Sequence, residues 1–174
     1  MAVPAVTLRI WRRAAVGGRR VTAIVLTHGH NDHINAAPAL AEAVGSPPVY
    51  LHPDDLMLWH QLFPGTNPAR WLEDGLILEA GGVVLQVMHT PGHTPGGCCL
   101  YDEVSRTVFS GDTLFQGGPG ATGRTYSEFG TIIDSIRDRL LVLPAETVVR
   151  PGHGETTTIG DEAPHLHEWV ERGY

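Results

Sequence analysis

The stretch Thr27-His28-Gly29-His30-Asn31-Asp32-His33 crowds imidazoles and a carboxylate into one short segment. His28 and His30 lie two apart, so on an extended chain their side chains point the same way and can grip one ion together. Gly29 between them lets the backbone turn tightly. Asp32 and His33 are consecutive, diverge from that pair, and can address a second ion nearby. Three further ligand types follow, each beside glycine: His93 in Pro-Gly-His-Thr, Asp112 in Ser-Gly-Asp-Thr and His153 in Pro-Gly-His-Gly. The set contains imidazole and carboxylate but no thiolate. That suits Zn, Fe(II) or Mn(II) and disfavours a cysteine-rich structural zinc site. It is too large for one tetrahedral ion and matches two divalent ions sharing a carboxylate. Such a pair lowers the pKa of a bridging water toward ~7 and polarises the carbonyl under attack. Two divalent ions would also bring the formal net charge from −7 to −3, relieving self-repulsion.

Short apolar runs ending in these polar spots must position them. Val21–Leu26 reads as a buried strand feeding the first His cluster. Asn35–Val44 has helical composition with Pro38 in its first turn. Pro48–Leu51 reads as a strand and Asp54–Phe63 as a short helix. Leu76–Glu79 and Val83–Met88 flank Gly81-Gly82 as a hairpin. Cys98–Tyr101, Thr107–Phe109 and Thr147–Val149 read as strands. Phe129, Ile132, Ile133, Ile136 and Leu140 recur at helical spacing, with Ser127 as the expected cap. A last helix from about Asp161 and Pro164 to Gly173 is expected to bury Leu166, Trp169 and Val170. Strands and helices joined by hairpins and crossovers imply an α/β sheet-and-helix sandwich.

Composition bounds the rest. The chain has 174 residues, one domain's length, with 42% hydrophobic and 18% charged residues, as in a globular protein. The charge of −7 argues against a nucleic-acid partner. No apolar run nears the ~20 residues of a membrane span. Adjacent Cys98 and Cys99 fit a reducing cytoplasm. Every basic residue is Arg, a bias typical of a GC-rich genome. Residues 1–20 form an atypical segment crowded with Arg and free of acids, set apart from a domain over 21–174.

Together, THGHNDH, HTPGHTPGG, SGDTLF and PGHGETTTIG resemble the metallo-β-lactamase superfamily, and within it the small glyoxalase II-like hydrolases. The ending DEAPHLHEWVERGY looks like a single-domain actinobacterial branch. The resemblance implies an αββα sandwich with the site at one edge. It implies that His28, His30 and His93 bind one metal, that Asp32, His33 and His153 bind a second, and that Asp112 bridges them. Asp32 and Asp112 are then the catalytic carboxylates. GRTYSEF resembles a loop beside the family's site, making Arg124 and Tyr126 candidate substrate contacts. The implied activity is hydrolysis of a small-molecule thioester by a metal-bridging hydroxide, with zinc the expected metal and iron or manganese as alternatives. The family's glutathione-specific members add a basic helical domain. Here the chain stops shortly after His153, which puts glutathione in doubt and admits another carrier such as mycothiol. The family also opens with strands where residues 1–20 stand here. A sandwich lacking its first strands is therefore expected, with an exposed sheet edge that a second copy of the chain would cover. Three other outcomes stay open: a persulfide dioxygenase with one iron on His28, His93 and Asp112, a lactonase, and an inactive truncated chain.

The other candidates carry blander expectations. His52, His60, His165 and His167 read as structural or surface residues, and His89 as a packing residue near a ligand. Asp54 and Asp55 read as solvated or helix-capping. Cys98 and Cys99 read as buried small hydrophobes on opposite sides of a strand. Trp11, Trp59, Trp71 and Trp169 read as packing residues.

Overall fold

Alternation along two short strands decides the layering. Strand β1 (Ile24–Val25) and strand β2 (Val49–Leu51) run parallel, with Ile24 opposite Val49 and Val25 opposite Tyr50. Val25 and Tyr50 face one way, onto Leu72, Val87, Cys98 and Leu100. Ile24, Leu26, Val49 and Leu51 face the other way, onto Ile34, Ala37 and Trp59. Period-two side chains thus give this small sheet two apolar faces, and each must be covered. Among the described residues strand β3 (Arg70–Trp71) is its third member, in the order β1-β2-β3.

The computed structural model describes residues 17–173. Residues 1–16 of the expected basic segment, Trp11 among them, lie outside the described residues, and 17–20 are exposed. The second sheet has six strands: β4 (Ile77–Ala80), β5 (Val83–His89), β6 (Cys98–Asp102), β7 (Thr107–Gly111), β10 (Val148–Pro151) and β11 (Thr157–Thr158). Their order is β11-β10-β7-β6-β5-β4, with β7 and β10 parallel and the other pairs antiparallel. A small ribbon pairs β8 (Leu114–Phe115) with β9 (Gly118–Pro119). Between β4 and β5, Gly81 and Gly82 both have positive φ, as a two-residue hairpin turn requires.

Helices cover the outer faces. Helices α1 (Asn31–Ile34), α2 (Ala37–Ala43) and α3 (Leu56–Leu62) follow β1 and β2, and residues from each pack on the three-stranded sheet. Helix α4 (Phe129–Ser135) runs on into a π turn at Ile136–Leu140, followed later by α5 (Ile159–Glu162) and α6 (Leu166–Arg172). Ile132, Ile133, Ile136, Leu140, Ile159 and Trp169 pack with Cys99, Tyr101 and Val108 of the larger sheet. The architecture is the expected αββα sandwich. Cys98 and Cys99 enter different clusters, one between the sheets and one under the helices.

Two local expectations are corrected. Glu128, not Ser127, caps α4: its carboxylate accepts from Gly130 N–H at 3.1 Å and Thr131 N–H at 2.5 Å. Ser127 instead bonds back to Arg124. Val170 is exposed; only Trp169 and part of Leu166 turn inward on α6. Among the described residues β1 is an outer strand of its sheet. Phe109 of β7, paired with Leu100 of β6 and so on the same face of the larger sheet, remains 39% exposed. Val104, on the turn between β6 and β7, touches none of the cores.

Replacing Ile136 by Ala, at the centre of the larger helix-sheet core, is expected to cost about 2–5 kcal/mol in urea denaturation. Replacing Val104 by Ser should change stability by less than about 0.5 kcal/mol.

Candidate metal centre

Strand ends place the ligand-type side chains. After β1 the chain leaves the sheet but stays pinned, because Cys98 N–H donates to Thr27 O at 2.8 Å. His28, Gly29 and His30 follow at once, and α1 then carries Asp32 and His33. His93 sits in the loop between β5 and β6. Asp112 directly follows β7, and His153 follows β10. Since β7 and β10 are parallel and Gly111 pairs with Pro151, Asp112 and His153 leave one sheet edge side by side.

The structure brings all of these groups together. His28, His30 and His93 form one cluster and Asp32, His33 and His153 another, with ligand atoms inside each lying within 4.8 Å of one another. Asp112 lies between the two. Its Oδ1 is 3.4 Å from His33 Nε2, and its Oδ2 is 3.6 Å from His93 Nε2 and 3.9 Å from His153 Nε2. His30 Nδ1 and His93 Nε2 approach to 2.9 Å, His33 Nε2 and His153 Nε2 to 3.0 Å. His153 Nε2 is also 3.0 Å from Asp32 Oδ2.

Tautomer and charge fit a cation. His93 Nδ1 lies 2.8 Å from the carbonyl oxygen of Ala121, which can only accept, so Nδ1 carries the proton and Nε2 turns a bare lone pair on the cluster. Burial pushes His28 down to about 2, helped by the charges of its imidazole neighbours, so it stays neutral. His30 is lowered by burial and then by His93. Burial would lower His33 too, but the Asp112 carboxylate 3.4 Å away, with the charge of Asp32, outweighs it and raises His33. Burial acts to raise Asp112, yet the proximity of His33 and the surrounding imidazoles hold the carboxyl below the usual range. Asp32 is likewise lowered, its partial burial outweighed by its own backbone hydrogen bond, His33 and His153.

The donor set fits a divalent metal. His28 Nε2 and Asp112 Oδ1 are buried and lack hydrogen-bond partners among the described residues. Such orphaned buried atoms are costly unless a cation meets them. The backbone also makes room: a Cβ on Gly152 would collide with Asp112 Oδ1 and stand 2.6 Å from His33 Cε1.

Arg124 and Tyr126 are exposed on the loop before α4, and the Arg124 charge reaches His30. Tyr126 has a φ of 73°, strained for a residue with a side chain. Glu128 N–H ties this loop to the His93 loop through Gly92 O at 2.8 Å. A third group, His52, Asp54 and His89, also gathers donor atoms. Its two rings are stacked 4.1 Å apart in planes 10° from parallel, so their in-plane lone pairs run side by side and do not converge on an ion. His89 Nε2 lies 2.9 Å from Pro95 O, which bolsters the His93 loop from behind.

Asp55 was missed. Expected to be solvated or capping, it is fully buried, and although it occupies the N-cap of α3 its side chain caps nothing there. It accepts instead from Gly29 N–H, Thr94 O–H and Gly96 N–H, residues beside His28, His30 and His93. Burial raises its carboxyl, against those three donors. The only sequence signal was an Asp opening a helix; the partners lie far away in the chain.

Comparison with known proteins bears on the family and the fold. A model of a family described as the metallo-beta-lactamase superfamily matches residues 4–153. The chain is 36% identical over 151 residues to hydroxyacylglutathione hydrolase GloC of Haemophilus influenzae, covering 80% of this chain and 71% of that protein. It is 38% identical over 160 residues to the probable metallo-hydrolase YqgX of Bacillus subtilis, covering 83% and 75%. The crystal structure of TTHA1623 in a di-iron-bound form superposes with a TM-score of 0.80 at 39% identity, covering 93% of this chain and 83% of that one.

Two predictions follow from the cluster. Freed of metal by a chelator, the protein should lose stability as pH falls below His28's ordinary value of 6.5. The unfolded chain then takes up a proton that folded His28 refuses down to about 2, giving a slope of about 1.4 kcal/mol per pH unit. His33 acts in the adjoining window: its raised value adds stability that is full below 6.5 and is lost as pH rises through that value. Urea titrations between pH 5 and 8 should show the acid limb flatten in His28→Gln. Separately, Gly152→Ala should lower divalent-metal affinity by about tenfold or more, read by competition with a chromophoric chelator.

Proposed function

Because the chain belongs to the metallo-β-lactamase superfamily of metallo-hydrolases, we propose that it hydrolyses thioesters of a small thiol. The observation that carries this reading is the convergence of two ligand-type clusters on one buried carboxylate, Asp112. His28, His30 and His93 would hold one divalent ion, Asp32, His33 and His153 a second, and Asp112 would serve both. Zinc and iron each suit this donor set, and a relative of the same fold has been crystallised with two irons. When bound, such ions supply activated water at neutral pH and a Lewis acid for the carbonyl.

The chain's own groups do the rest. The Ala121 carbonyl keeps His93 in one tautomer, with Nε2 facing the reacting centre. Asp112 and Asp32 are held below the usual carboxyl range, so they act as acceptors that orient a water and its protons. Neither is a strong general acid, and a thioester needs none: its leaving group is a thiol of pKa about 8.5, which departs as thiolate. An amine leaving group would need protonation. At the rim, Arg124 and Tyr126 contact the substrate, Arg124 through an anionic group on the acyl or thiol part. Similarity to a hydroxyacylglutathione hydrolase supports a hydroxyacyl thioester; the thiol carrier is glutathione or another such as mycothiol.

The test is metal analysis of the purified protein beside a panel containing S-lactoylglutathione, an S-acyl mycothiol, a lactone and a persulfide monitored with an oxygen electrode. The expected result is close to two divalent ions per chain and thioester turnover without oxygen uptake. One iron per chain with persulfide-dependent oxygen consumption would overturn it. Asp112→Ala should abolish turnover and reduce bound metal; full activity with full metal content in that variant would refute the assigned centre.

A further inference from the structure

Asp55 spans the gap between the His28–His30 turn and the stretch that follows His93. One oxygen, Oδ2, accepts from Gly29 N–H at 2.7 Å and from Thr94 O–H at 2.8 Å, while Oδ1 accepts from Gly96 N–H at 2.6 Å. Gly29 stands between His28 and His30, and Thr94 and Gly96 come first and third after His93. All three partners donate, so the group sits there as an ionised acceptor. The contact is close enough to dictate its neighbours. A Cβ on Gly29 would stand 3.0 Å from Asp55 Cβ and 2.9 Å from Leu58 Cβ, and one on Gly96 would stand 2.8 Å from Asp55 Cγ and Asp55 N. An Asp at a helix N-cap normally accepts from the second or third amide of its own helix. Here that local stabilisation is given up and both oxygens turn to the two loops.

We propose that Asp55 is a positioning residue: it fixes the His28–His30 turn against the His93 loop at the separation that lets His28, His30 and His93 address one cation. The inference rests on the metal reading above but makes its own claim, that affinity at one of two sites depends on a buried group touching no metal. In Asp55→Asn the amide nitrogen must face either Gly96 N–H or Gly29 N–H, a donor against a donor, so one loop is released. Thr94→Val removes one of the three donors and no ligand.

Metal-stripped wild type and both variants are titrated with zinc against a chromophoric chelator, and the thermal midpoint of each metal-free protein is recorded. Wild type is expected to give two binding constants. In Asp55→Asn one of them weakens by about tenfold or more, and the other by less than about threefold. Thr94→Val weakens the same constant by a smaller factor, which keeps the inference open to refutation if Asp55→Asn fails to fold. A purely structural role would lower the metal-free midpoint and weaken both constants alike, and that result overturns the proposal. Constants unchanged in Thr94→Val and in a folded Asp55→Asn overturn it too, while leaving the metal reading intact. Failure of wild type to bind zinc or iron would remove both.

Discussion

Imidazole nitrogens held 2.9 and 3.0 Å apart, His30 against His93 and His33 against His153, impose the governing constraint on this molecule. Two bare lone pairs at such distances repel. Either a proton sits between them or a cation lies among them. His93 commits its Nδ1 proton to Ala121 O, so the proton in its contact with His30 would have to come from His30 Nδ1, which would take that lone pair away from an ion. For buried His28 protonation is strongly disfavoured. Positive charge that burial denies to protons can be supplied by divalent ions, whose ligands must be deprotonated in any case. The same charge would meet the orphaned atoms of His28 and Asp112.

Holding such a group together demands rigid surroundings, and the sandwich supplies them. Asp112 and His153 lie just beyond strands, Asp32 and His33 on the short helix after one, and His93 in a loop closed at its base by the Thr90 N–H bond to Gly97 O. The strands are fixed by apolar clusters on both faces: Val25, Cys98 and Leu100 between the sheets, Leu51 and Trp59 under one helical layer, Val108 and Ile136 under the other. A ligand at a strand end inherits that precision, which a few tenths of an ångström of loop drift would spoil. No helix among the described residues is long and apolar enough to cross a membrane.

Much of this was legible in the chain because the signals are local. The His-x-His-x-Asp-His run and the ligands beside glycine could be read directly, and period-two and helical spacing located most strands and helices. What escaped depends on distant partners. Asp55 looks like any Asp before a helix; its role comes from Gly29, Thr94 and Gly96, which only the fold brings near. Ser127 is the favoured cap by residue type, but it is occupied in the turn that shapes the Arg124–Tyr126 loop, and the neighbouring Glu128 carboxylate meets the helix amides instead. Val170 lies beside buried Trp169, and the orientation of a short helix, not its hydrophobicity, exposes it. His52 and His89 were expected to be unremarkable singly; their stacking was invisible because their separation in the chain carries no period.

Three aspartates show how environment divides one chemistry into separate roles. Asp112 is partly buried among imidazoles, and a cation there would hold its carboxyl lower still, favouring its role as an acceptor. Asp32, 60% exposed at its side chain, also stays low but stands in contact with water. Asp55 is buried with only neutral donors, and these do not fully offset desolvation, so its carboxyl lies above the ordinary range. A buried anion on neutral donors is a costly way to hold two loops; a hydrophobic side chain would be cheaper but could not satisfy the amides of Gly29 and Gly96. Those amides belong to turns that must stay tight for the flanking histidines to converge, and a carboxylate is the one side chain able to accept from both turns and from Thr94 at once.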